Sequence, residues 1–209
     1  ADPASIDFIP ADIEISRCSF FKPLAWKGQG WVIKNLLEFK NAQRVLVNGC
    51  VFENNWGGEG QDGHSILFTV RNQEGTAVYS TVKDITVSNC TLKNCDRGIN
   101  FLGTDNEKPS GKTSNILLVN NFLQFKHNAL TINATDTVVI DHNTMLIGGN
   151  IMTAYNASSA GFILKRNIFS NGINGFGIFG DGLGEGPLHL LDAALGPRHP
   201  DLGRVARDH

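Results

Sequence analysis

Lys40, His64, Arg71 and Asp105 are the side chains whose types and spacing could share a reaction. β-Elimination from a uronate needs its carboxylate neutralised by a cation, so that the neighbouring C–H becomes acidic, and a base to take that proton. Arg71 has the charge to neutralise, and Lys40 or His64 could be the base. Asp62 and Asp105 offer hard oxygen ligands for Ca²⁺, which is compatible with the chemistry but not required by it. Hydrolysis would instead use two carboxylates flanking the bond, drawn from Glu38, Asp62 and Asp105. An ester hydrolase would use a groove carboxylate or a His beside oxyanion-stabilising donors. Glu38, Thr69, Arg97 and Asn100 add the charged, hydroxyl and amide groups that would bind the substrate.

Each candidate also has a plain structural meaning. Glu38 and Lys40 alternate on one strand face and fit a solvated pair. Asp62-Gly63-His64 fits a turn entering a strand, and Arg71 and Asp105 could brace neighbouring loops. Asp141-His142-Asn143 looks like part of a catalytic triad but falls on a repeated turn, and His127 before Asn128 is similar. No GxSxG elbow, HExxH helix or P-loop is present.

These residues depend on a repeat for their placement. Six segments share one pattern, two alternating apolar residues, then Asn or Cys, then a large apolar residue. They are Ile13-Ile15-Cys18-Phe20, Val45-Val47-Cys50-Phe52, Ile85-Val87-Cys90-Leu92, Ile116-Leu118-Asn121-Leu123, Val138-Ile140-Asn143-Met145 and Phe162-Leu164-Asn167-Phe169. Period-two alternation means strand, and its break at Asn or Cys means that the chain bends there. The Asn/Cys positions lie 32, 40, 31, 22 and 24 residues apart. The shortest spacings approximate a bare coil of three short strands, and the excess in the others is loop. A second set of apolar pairs closes each coil: Leu37-Phe39, Ile66-Phe68, Ile99-Phe101, Leu130-Ile132 and Phe176-Ile178. Loops follow at 71–83 and 103–115, with an earlier insertion at 56–62. A helical solenoid needs runs of period 3.6, which the repeat region lacks. Stacked coils put each residue type above its counterpart at about 4.8 Å. The expected fold is therefore all-β, a right-handed parallel β-helix of about six coils over residues 1–186. Cys18, Cys50 and Cys90 then belong to a buried turn ladder continued by Asn121, Asn143 and Asn167. Thiol catalysis or a metal would be the competing use.

Composition sets wider bounds. The 209 residues are 41% hydrophobic and 18% charged, as in a folded domain. A net charge of −2 gives no electrostatic case for nucleic acid as partner, and no segment reads as a membrane span. The tail 187–209 has helical apolar spacing at Leu188, Leu191 and Leu195, then a Pro/Arg-rich end. It reads either as a capping helix over the last coil or as a foreign end. Ala1–Pro10 has too few apolar residues to cover the first coil around Ile13, Ile15 and Phe20, so a homodimer through that end, or by exchange of tails, is expected.

The stretches ADIEISRCSFFKPLAW, WVIKNLLEFKNAQRVLVNGCVFENNW, HSILFTVRNQEGTA, GINFLGTDNEKPS and IDHNTM carry a resemblance. Residues 10–186 resemble the right-handed parallel β-helix proteins of the pectate-lyase-like superfamily, closest to large bacterial members from soil. The resemblance implies further coils before the equivalent of Ala1, so this chain is expected to be a piece of a longer solenoid. The resemblance implies a carbohydrate-active lyase or hydrolase acting on an acidic or substituted polysaccharide, secreted or periplasmic. The superfamily's range also admits a non-catalytic glycan-binding or structural module, and an ester hydrolase taking a small ester.

Overall fold

The computed structural model describes residues 5–31 and 33–170, with the backbone of Phe176–Ile178, His189–Leu191 and Ala194–Leu195. The chain winds through three parallel sheets, visiting each once per coil. The first sheet stacks Ala11–Ser16, Ala42–Asn48, Val82–Ser88, Thr113–Val119, Asp136–Asp141, Ala160–Lys165 and His189–Leu191. The second stacks Ser19–Phe21, Val51–Asn55, Thr91–Cys95, Phe122–Phe125, Thr144–Ile147, Ile168–Phe169 and Ala194–Leu195. The third runs from Leu37–Phe39 through His64–Thr69, Arg97–Leu102, Leu130–Asn133 and Met152–Ala154 to Phe176–Ile178. This is a parallel β-helix.

The register follows the repeat. Val45, Ile85, Ile116, Val138 and Phe162 pair in line, as do Val47, Val87, Leu118, Ile140 and Leu164. All ten are buried and form a continuous apolar column with the inward residues of the other sheets. Phe20 stacks on Phe52 at 4.8 Å, and Phe68 lies between Phe39 at 5.6 Å and Phe101 at 5.2 Å. Each ring fills a layer between coils, so apolar burial and coil stacking are one interaction.

The corner between the first and second sheets is the predicted ladder. The backbone N–H of Cys18 donates to Cys50 Sγ at 3.5 Å, and that of Cys50 to Cys90 Sγ at 3.3 Å. Cys90 N–H donates to Asn121 Oδ1 at 2.8 Å, Asn121 N–H to Asn143 Oδ1 at 2.9 Å, and Asn143 N–H to Asn167 Oδ1 at 2.8 Å. The residue before each ladder position, Arg17, Gly49, Asn89, Asn120, His142 or Arg166, has a positive φ that makes the bend. His142 therefore has a conformational role, and its exposed ring lies 2.9 Å from the carboxylate of its neighbour Asp141. The four cysteines are free. Burial pushes the Cys90 thiol up to about 11 and raises Cys95 as well, which makes both poor nucleophiles. An outer line of amides went unread in the sequence: Asn120 Nδ2 donates to Asn89 Oδ1, and Asn89 Nδ2 to Asn48 Oδ1, both at 2.7 Å.

The capping helix is corrected. Within the stretch with helical apolar spacing, His189–Leu191 pairs with Ile163–Lys165, and Ala194–Leu195 pairs with Ile168–Phe169. These strands add part of a seventh coil. The physical reason is the edge they meet: a coil end presents unpaired backbone groups, which strands satisfy and a helix leaves open. The boundary at 186/187 and the Pro/Arg-rich end lie outside the described residues. Among the described residues, no helix is long and apolar enough to cross a membrane.

Candidate functional site

The third sheet carries the candidate residues. Its inward positions Ile66, Phe68, Ile99, Phe101, Leu130 and Ile132 are core. Between them lies an outward row in register, Glu38, Leu67, Asn100, Thr131 and Thr153. Two residues further along come Lys40, Thr69, Leu102 and Asn133. Among the described residues, loops from both flanks fold against this face and line two pockets.

The first pocket, about 220 Å³, is lined by Lys40, Arg71, Gln73, Asp105, Asn106, Glu107 and Lys108. Two loops meet here, and Asn72 and Asp105 hold them together. The Asn72 backbone N–H donates to Asp105 Oδ2 at 2.7 Å. The buried Asn72 side chain donates to Pro109 O at 2.6 Å and accepts from Ala77 N–H at 2.7 Å. Asp105 Oδ1 accepts from Glu107 N–H at 2.9 Å and Lys108 N–H at 3.3 Å. Desolvation opposes these three amide bonds and the Arg71 charge, and on balance the carboxyl sits below its ordinary range. Asp105 is thus a brace that stays ionised, with both oxygens occupied by backbone. Lys40 and Arg71 are the basic side chains that line the pocket with it. The Lys40 ammonium lies 3.9 Å from Glu38, a weak pair. Among the described residues, no carboxylate comes within 4 Å of the Arg71 guanidinium.

The second pocket, about 170 Å³, takes Glu38, Asp62, His64 and Asn100 together with Lys34, Asn35, Gln61 and Leu67. Its outer wall is a tight reversal in which Gly58 and Gln61 exchange backbone bonds of 2.9 Å. Gly63 closes the wall. A Cβ there would sit 2.6 Å from Gly57 N, and its φ of +79° suits only glycine well.

The eight binding and catalytic candidates therefore do not share one cavity. Lys40, Arg71 and Asp105 meet as expected. His64 does not join them, and it is buried, with 7% of its surface exposed. Period two explains this, because His64 falls on the same side of its strand as Ile66 and Phe68. Burial first, and the Arg97 charge second, push its imidazole down to about 4. It is neutral at ordinary pH and has little basicity to offer. Thr69 points outward but is only 3% exposed, because loops cover it, and its hydroxyl donates to Glu38 Oε1 at 3.2 Å. Arg97 pairs in register with His64 and lines neither pocket. Asp62 and Asp105 line different pockets, and among the described residues no three His, Cys, Asp or Glu side chains gather as a metal site.

Lys34, Asn35, Gln61, Gln73 and Lys108 were not singled out in the sequence. All lie next to turns or just before the late apolar pair, the only signal that could have found them. No protein-family model, curated protein or solved structure matches the chain.

Proposed function

We propose that this protein is a pectate-lyase-like β-helix protein that binds an acidic polysaccharide across its third sheet and cleaves it by β-elimination. The observation that carries this reading is the pairing of Lys40 and Arg71 in one pocket, with no carboxylate in ion-pair reach of Arg71 among the described residues. A uronate carboxylate would bind the Arg71 guanidinium, which withdraws charge and acidifies the proton α to it. The Lys40 amine takes that proton. The electron pair becomes the new C=C bond, the adjacent C–O bond to the leaving sugar breaks, and water protonates the leaving oxygen. Asp105 holds the two loops in place and touches no reacting atom.

A second reading has its own support. Glu38 and Asp62 line the neighbouring pocket, and two carboxylates across a sugar are what glycoside hydrolysis uses.

Purified protein on a panel of polyuronates, followed by the ultraviolet absorbance of the unsaturated product, separates these readings. β-Elimination predicts that absorbance, with Lys40→Ala and Arg71→Ala each lowering the rate by about 10²-fold or more. New reducing ends without absorbance, lost in Glu38→Gln, would replace elimination by hydrolysis. Turnover of a chromogenic acetyl ester alone would make it an esterase. Binding without turnover would make the protein a glycan-binding module.

A further inference from the structure

Exposed aromatic side chains collect on the first coil, where the chain crosses from the second sheet to the third. Trp26 is 42% exposed and Trp31 is 59% exposed. Their ring centroids are 6.2 Å apart at an interplanar angle of 43°, so neither indole covers the face of the other. The Trp31 indole N–H donates to Gln29 Oε1 at 3.3 Å, which satisfies the one polar edge of that ring locally. What Trp31 leaves available is carbon and π face.

The pair is joined to the second pocket from two sides. Lys34 and Asn35, just beyond Trp31 in the chain, line that pocket. On the other side, the Lys27 ammonium lies over the Trp56 ring, 5.9 Å from its centroid. Trp56 is buried and opens the insertion whose later residues, Gly60 to Gly63, form the pocket's wall. The bend between the two indoles uses Gly28 and Gly30 at φ of +81° and +75°. A Cβ at either glycine would meet nothing within 4 Å, so conformation, not crowding, accounts for these glycines. A pair of open ring faces three residues along the chain from a pocket of amides and charges matches a pyranose, which has apolar C–H faces and a polar rim.

We propose that Trp26 and Trp31 form a sugar-stacking subsite that extends the second pocket and takes a sugar unit beyond those held over the third sheet. This rests on the polysaccharide reading above but not on its uronate chemistry, because stacking on an indole needs no charge.

The test is titration of the intact protein with oligogalacturonates from disaccharide to hexasaccharide and, in parallel, with neutral xylo-oligosaccharides of the same lengths, read by tryptophan fluorescence. The expected result is a fluorescence change on binding and an affinity that climbs with length. Trp31→Ala should weaken the longest ligands by about tenfold while the disaccharide is unchanged. Arg71→Ala should weaken all uronate lengths alike. Trp31-dependent binding of xylo-oligosaccharides without binding of uronates would keep the subsite and overturn the uronate pocket. Equal affinity of wild type and Trp31→Ala for every ligand would overturn the subsite. So would a sedimentation shift from dimer to monomer in Trp31→Ala with sugar affinity intact, because the indoles would then be a self-association surface.

Discussion

The ladder corner and the third-sheet face are built by the same coils and treat polar groups in opposite ways. At the corner, Asn121, Asn143 and Asn167 are buried and each spends its amide completely. Asn143, for example, donates to Leu118 O and Asp141 O while accepting from the backbone and side chain of Asn121. The described residues hold five buried polar side-chain atoms without a partner: Asn55 Oδ1, His64 Nδ1, Asn133 Oδ1, Thr135 Oγ1 and Asn150 Oδ1. None lies on the ladder: Asn55 ends a second-sheet strand on the side away from it, and the other four sit on third-sheet strands or in the turns beside them. A buried group left unpaired costs about 1–3 kcal/mol. The fold concentrates satisfied polarity where it needs a fixed bend, and leaves imperfect polarity beside the face where loops form pockets. Insertions follow the same division: the ladder turn is the same length in every coil, and the long loops flank the third sheet.

The largest effect should come from breaking the corner. Asn143→Ala strands the Asn121 backbone N–H and two carbonyls in the interior, and should cost about 4 kcal/mol. Urea denaturation reads this as a lower midpoint. A lower slope as well would mean that coils on one side of the break unfold separately. A loss under about 1 kcal/mol would mean that the coils are held by the apolar column alone, and the contrast with the third sheet would lose its energetic meaning.

Next in size is a pH effect from the other region. His64 is near 4 in the folded protein and near 6.5 when unfolded. Between those values the unfolded chain binds a proton that the folded chain refuses. Stability therefore rises with pH across the window, is fully present above pH 6.5, and is lost as pH falls towards 4, by roughly 3 kcal/mol in total. His64→Gln should flatten that part of the stability profile relative to wild type. An unchanged slope would place the imidazole in contact with water and return it to the list of bases.

A smaller effect sharpens the contrast within the ladder itself. Cys90 Sγ accepts from Cys50 N–H at 3.3 Å, and its thiol donates to Ser88 O at 3.1 Å. It makes fewer and weaker bonds than an amide and packs as a small apolar group. Cys90→Ala should cost about 1–2 kcal/mol by the same midpoint measurement, clearly less than Asn143→Ala. Equal losses would show that volume, not hydrogen bonding, sets the stability of the corner.

The two regions also differ in how far the sequence reveals them. The corner repeats, so six copies of one spacing disclosed both the strands and the ladder. The third-sheet strands could be found from apolar pairs such as Ile66-Phe68, and so could the meeting of Lys40, Arg71 and Asp105. Which loop covers which side chain does not repeat, and there the sequence misled. Thr69 reads as outward and accessible, yet loops bury it. His64 reads as a loop residue, although parity with Ile66 already placed it inward. At the tail, Leu188, Leu191 and Leu195 have helical spacing, but the open edge of Ala160–Lys165 outweighs local pattern and draws in a strand.

The smallest expected effect on stability is at Arg71. It is half-buried, makes no ion pair within 4 Å among the described residues, and acts on Asp105 only through its charge. Asp105 keeps its three backbone amides without it. Arg71→Ala should therefore shift the unfolding free energy by no more than about 0.5 kcal/mol, as for a surface substitution away from the core. Asp105→Ala removes the brace shared by two loops and should cost more, about 1–2 kcal/mol. If the order is reversed, and Arg71→Ala is the costlier change, then the guanidinium is the brace. The third-sheet face would then be held together by the cation proposed to bind substrate, and Lys40 would be the only proposed catalytic group left facing that pocket.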